Sequence, residues 1–178
     1  MITKQNKIPS RSLLKQDEAS FHYIDSFQSQ AVVDGEQNDI QHIAKLLLSS
    51  GPAWIDTLMA IRDQLVKLVG LKTSDLHKAK QQELDELKFE PGEQLGIFKL
   101  YARSENELIL GKDDKHLDFR VSLLLDRPNA KTTQKKIAIT TAVQFNNLFG
   151  RIYFVPVKPF HQLIVRRMLK EMIQKVSG

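Results

Sequence analysis

The sequence predicts an α+β domain in which a curved antiparallel sheet wraps a long C-terminal helix, and three observations predict it. Residues from Leu95 to Phe145 read as consecutive strands joined by short turns, and such strands can pair only as an antiparallel meander. The stretch from Phe160 to Val176 carries a broad apolar face at helical spacing, and a face of that kind must pack on the sheet. An earlier strand and two short amphipathic segments come before the meander and would close one end of it.

In chain order, residues 1–18 are polar and without periodicity, which predicts a flexible N-terminal arm ahead of a single domain over residues 19–178. From Ser20 to Val33 aromatic and β-branched residues dominate, the mark of a strand, and Asp34-Gly35 is a turn signal. Asn38 is a good N-cap for a short helix whose apolar positions are Ile40, Ile43, Ala44, Leu47 and Leu48. Ser49-Ser50-Gly51 closes it. Pro52 suits the first turn of a second helix that runs to Val69, with Gly70 as its C-cap. Residues 72–93 are charged; Ser74 to Leu87 reads as an exposed helix and Glu90-Pro91-Gly92-Glu93 as a turn.

The period then changes to two. Leu95–Arg103 and Glu107–Leu110 flank a hairpin turn at Ser104-Glu105-Asn106, and Gly111-Lys112-Asp113-Asp114 is a second turn. In His116–Leu125, Leu117, Phe119, Val121, Leu123 and Leu125 share one face and His116, Asp118, Arg120, Ser122 and Leu124 the other, as in a strand with one buried side. Lys136–Phe145 is another strand, with a bend at Asn146-Asn147 and Gly150, and Arg151–Val157 extends it. Pro159 starts the terminal helix, which at 1.5 Å per residue runs about 26 Å. Sheet, terminal helix and two short helices after the first strand together make a helix-grip arrangement.

Composition narrows the function. A chain of 178 residues with 42% hydrophobic residues can bury a core without staples, and it has no cysteine for disulfides or thiolate metal sites. The N-terminus leads into no apolar segment and no run approaches the roughly 20 residues of a membrane span, so a cytoplasmic protein is expected. The formal charge of +5 is spread along the chain rather than gathered in a stripe, which argues against nucleic acid.

Two stretches carry a family resemblance. Gly111-Lys112-Asp113-Asp114-Lys115-His116-Leu117-Asp118-Phe119-Arg120-Val121-Ser122 is one; Gly150-Arg151-Ile152-Tyr153-Phe154 followed by Val157 to Leu169 is the other. Pro52-Ala53-Trp54, Arg62-Asp63 and Gly70-Leu71-Lys72 add a helical segment. Together they resemble the domain of unknown function 2867 family over residues 20 to 176. That family is similar to the SRPBCC (Bet v 1/START-like) superfamily, which implies a helix-grip fold with an interior pocket. Some members accompany a short-chain dehydrogenase-like domain, which this chain lacks. The family brings no catalytic residue.

The residues themselves offer few candidates. His116, Asp118 and Arg120 share a strand face, where a histidine beside a carboxylate could act as a base and an arginine could hold an anion; the plainer reading is a salt-bridged polar face. His161 at the helix start is a second weak catalytic candidate, and Arg151 and Tyr153 could meet a ligand or pair with Asp113 or Asp114. Asp113 and Asp114 read as a turn rather than a metal site, and no cofactor motif is present. The first expectation is therefore an apolar-ligand-binding domain with an interior cavity lined by Phe98, Leu100, Leu117, Phe119, Val121, Ile139, Val143, Leu163, Ile164 and Met168. The alternatives are an enzyme acting on a hydrophobic carbonyl or polyketide-like compound with a histidine base, or an interaction module, monomer or homodimer, that partners a redox enzyme.

Overall fold

Alternating apolar residues build a sheet that is covered on both faces. The computed structural model describes residues 1–32, 39–49, 88–95, 98–126 and 134–177. Among them are strands β1 (Ile2–Gln5), β2 (Tyr23–Val32), β3 (Gln94–Leu95), β4 (Phe98–Arg103), β5 (Glu107–Lys112), β6 (Leu117–Asp126) and β7 (Gln134–Phe145), and helices α1 (Ile40–Ser49) and α2 (Leu148–Ser177). The strands form one antiparallel sheet in the order β1-β2-β7-β6-β5-β4-β3, so the meander β3 to β7 is completed by the return of β2 beside β7. This is the expected α+β arrangement of a curved sheet and a long C-terminal helix, consistent with a helix grip.

One face of the sheet meets the helices. Phe27, Leu100, Leu108, Leu123, Ile137 and Ile139 pack there with Ile43 and Leu47 of α1 and with Leu169 and Met172 of α2. The other face carries a smaller core of Ile8, Leu14, Ile109 and Ala142.

That second core corrects the expectation of a loose arm over residues 1–18. Residues 2–5 pair with β2, and Leu13–Ser20 forms a 3-10 helix capped by the Ser12 hydroxyl. Ile8 and Leu14 are 1% and 4% exposed. Two isolated apolar residues leave no periodic signature, yet each fills a slot on the outer face of the sheet.

Other boundaries also move. The first long strand starts at Tyr23, because Ser20 closes the 3-10 helix. Asp39 caps α1, its Oδ1 accepting the His42 N–H at 2.8 Å, while the expected cap Asn38 lies outside the described residues. The single strand expected over Leu95–Arg103 is two, β3 and β4, paired antiparallel with each other. Residues 151–157 are helical rather than extended: α2 begins at Leu148, where Asn147 Oδ1 accepts the Gly150 N–H at 3.0 Å, and Pro156 and Pro159 lie inside it. Gly150 is required there, since a Cβ would stand 2.1 Å from the His116 carbonyl oxygen. The turn at Asp34-Gly35 and the helices expected over Pro52–Val69 and Ser74–Leu87 lie outside the described residues.

Candidate functional site

The site arises where the first half of α2 crosses the helix-facing side of β2 and β7. Strand alternation puts Tyr23, Asp25 and Phe27 on that side, and the register sets Asp25 opposite Thr141. On α2, Phe154, His161 and Val165 follow one another at helical spacing, so the face buried through Phe154 and Val165 also brings His161 inward. Phe154 packs edge-on against Tyr23, ring centroids 4.8 Å apart.

Five polar side chains converge. The Tyr23 hydroxyl donates to Asp25 Oδ2 at 2.5 Å and accepts from Gln162 Nε2 at 2.8 Å. His161 Nε2 and Thr141 Oγ1 are hydrogen-bonded at 2.9 Å, and the same Nε2 lies 3.8 Å from Asp25 Oδ1. Asp25 is 0% exposed, and its Oδ1 receives no hydrogen bond among the described residues. Burial, and after it the hydrogen bond to Asp25, push the Tyr23 phenol well above its usual range, so it stays a donor. His161 keeps 22% of its side chain exposed, giving the cluster a side open to solvent.

The chemistry available follows. A buried acceptor without a donor costs about 1–3 kcal/mol, and a hydroxyl or amine arriving there would recover it. A protonated His161 would form an ion pair with Asp25.

The strand trio does not assemble. His116 lies against Asn147, Nδ1 to Nδ2 3.1 Å, and against the Phe149 ring. Asp118 accepts the Asp114 N–H at 2.9 Å. Arg120 pairs with Asp113 at 2.7 Å and stacks over Tyr101 at 3.7 Å. Burial raises the Asp113 carboxyl, but the hydrogen bonds from Tyr101 and Arg120 outweigh that and hold it below its usual range. Asp113 is thus engaged by Arg120 and Tyr101, while Arg151 sits 5.3 Å above the Phe145 ring. Among the described residues no three metal-ligating side chains gather.

Of the expected pocket residues, Leu100 and Ile139 belong to the main core and Phe98, Val121 and Met168 pack against it. Val143 is buried, and Leu117, Phe119 and Ile164 are half-buried. Leu163 is 57% exposed and faces away, because Phe154, Val165 and Leu169 fix which side of α2 is inward. A cavity of about 290 Å³ lies instead on the opposite face, between the N-terminal segment and the sheet, lined by Lys7, Ile8, Lys15, Gln28, Leu124 and Lys136 among others and by none of the ten.

Sequence reasoning named His161 but missed Asp25, Tyr23, Thr141 and Gln162. One signal was available: Asp25 stands between Tyr23 and Phe27 on the same strand face, an acid where an apolar residue belongs.

A family model described as Protein of unknown function (DUF2867) matches residues 18–168. No curated protein matches the chain.

Proposed function

The chain belongs to the family Protein of unknown function (DUF2867), which supplies no activity to carry over, and from that premise we propose that it is a small-molecule-binding domain. The guest lies between α2 and the helix-facing side of the sheet, with an apolar body and a hydroxyl or amine directed at Asp25 and His161. One observation supports this above all: Asp25 Oδ1 is fully buried, lacks a donor among the described residues and stands beside a half-open histidine. Buried polar atoms in folded proteins are overwhelmingly satisfied, so an exception within this polar cluster reads as a group kept for a ligand. The helix-grip arrangement agrees with that reading.

A second reading rests on the same pair. His161 beside a carboxylate is the arrangement of a general base, so a guest carrying an acidic C–H or O–H would be a substrate rather than a ligand.

The test is a melting-temperature screen of the full chain with lipophilic alcohols, amines and matched hydrocarbons. Ligands with a donor should raise the melting temperature, hydrocarbons should do so less, and Asp25→Asn should remove the difference. A panel that shifts wild type and Asp25→Asn equally, or shifts neither, overturns the proposal.

A further inference from the structure

The outer face of α2 carries an apolar line that is exposed among the described residues. Leu148, Ile152, Val155 and Leu163 are 71%, 62%, 71% and 57% exposed. With the exposed Pro159 they are spaced by four, three, four and four residues, so they form one stripe about 22 Å long. Continuing by three and four residues, the same line reaches Arg166 and Lys170, both exposed. Across residues 148–170 the helix holds five basic residues, Arg151, Lys158, Arg166, Arg167 and Lys170, and no acidic one.

We propose that this stripe is a docking surface for an anionic lipid bilayer, on which α2 lies parallel to the membrane plane with Leu148, Ile152, Val155 and Leu163 among the acyl chains and Arg166 and Lys170 at the headgroups. The charge selects the partner. Arg166 and Lys170, which continue the stripe, complement a negative surface and repel a second copy of it, whereas Arg151 and Lys158 lie over the Phe145 and Tyr23 rings and Arg167 pairs with Glu171. The shape selects it too. The opposite side of α2 is buried on its own sheet through Phe154, Val165 and Leu169, so the line is met from the outer side alone, and a bilayer surface can follow it along its length. A nucleic acid would engage the cations but leave four large apolar side chains in water. No described helix is long and apolar enough to cross a membrane, which agrees with a helix lying on one.

Vesicle flotation of the full chain tests this, using mixed phosphatidylglycerol and phosphatidylcholine against phosphatidylcholine alone. Binding should be at least about tenfold stronger to the anionic vesicles and should weaken with salt. The double variant Ile152→Glu with Val155→Glu should abolish flotation while melting with wild type, since both positions are exposed. Arg166→Gln with Lys170→Gln should lower binding about twenty-fivefold, near fivefold per cation. The proposal is overturned if the chain stays in the buffer, if neutral vesicles bind it equally well, or if the Glu variant floats like wild type. It is equally overturned if light scattering finds a dimer that the Glu variant dissociates, for the stripe is then a self-interface.

Discussion

Glu107 and Asp25 are carboxylates 1% and 0% exposed on opposite faces of one sheet, yet their surroundings differ in kind. Glu107 receives the Ser12 hydroxyl at 2.5 Å, the Leu13 N–H at 2.6 Å and the Ser122 hydroxyl. Every one of those donors is a fixed part of the chain, and two of them belong to the segment that opens the 3-10 helix. Glu107 therefore latches the N-terminal residues to the sheet. Among the described residues Asp25 receives only the Tyr23 hydroxyl, and its second oxygen faces His161 at a distance too long for a hydrogen bond. Two buried acids of the same fold thus serve different ends: one is consumed by structure, the other is left with capacity.

Removing the latch should have the largest effect. Glu107→Ala leaves three donors, two hydroxyls and an N–H, without their acceptor, for a loss of about 3 kcal/mol or more, read by urea unfolding. On a chain of this size that lowers the melting temperature by about 6–12 °C. A loss below about 1 kcal/mol would erase the contrast between the two faces.

Tyr23→Phe comes next. It takes away the hydroxyl that donates to Asp25 and accepts from Gln162, for about 1–2 kcal/mol by the same measurement. It also carries a pH signature. The raised Tyr23 phenol holds its proton more tightly in the folded state than at the unfolded value near 10. Its contribution is fully present below that value, and as pH climbs toward the folded value unfolding releases a proton and stability falls. Tyr101, raised by burial and by its hydrogen bond to Asp113, adds to the same loss. Stability should thus decline above about pH 10, and Tyr23→Phe should flatten that decline without abolishing it. An unchanged alkaline slope in the variant would separate Tyr23 from the buried network.

The parts of the fold that were legible in the sequence are those with an uninterrupted period. The alternation from Leu117 to Leu125 survives because a half-buried strand repeats every second residue, and the second half of α2 survives because Val165, Leu169 and Met172 repeat every third or fourth. The first turns of α2 were hidden by Pro156, Pro159 and the β-branched Ile152, Val155 and Val157, which locally favour extended chain; packing of Phe154 and Gly150 on the sheet overrides them. The N-terminal segment was illegible because its anchor, Glu107, stands 95 residues from Ser12. The site was half legible for a similar reason. His161 is a visible oddity on an apolar helical face, whereas the partnership of Asp25 with Tyr23, Thr141 and Gln162 exists only once β2 lies beside β7 and under α2.

The smallest expected effect is the most telling. Urea unfolding of Asp25→Asn beside Glu107→Gln compares the same isosteric change on the two faces. Asp25→Asn keeps an acceptor for Tyr23 and withdraws a buried, half-satisfied carboxylate, so stability should match wild type or rise by up to about 1 kcal/mol, while Glu107→Gln sets an amide against the Leu13 N–H and loses about 3 kcal/mol. If Asp25→Asn instead loses as much as Glu107→Gln, Asp25 is a second structural latch and the ligand site does not exist.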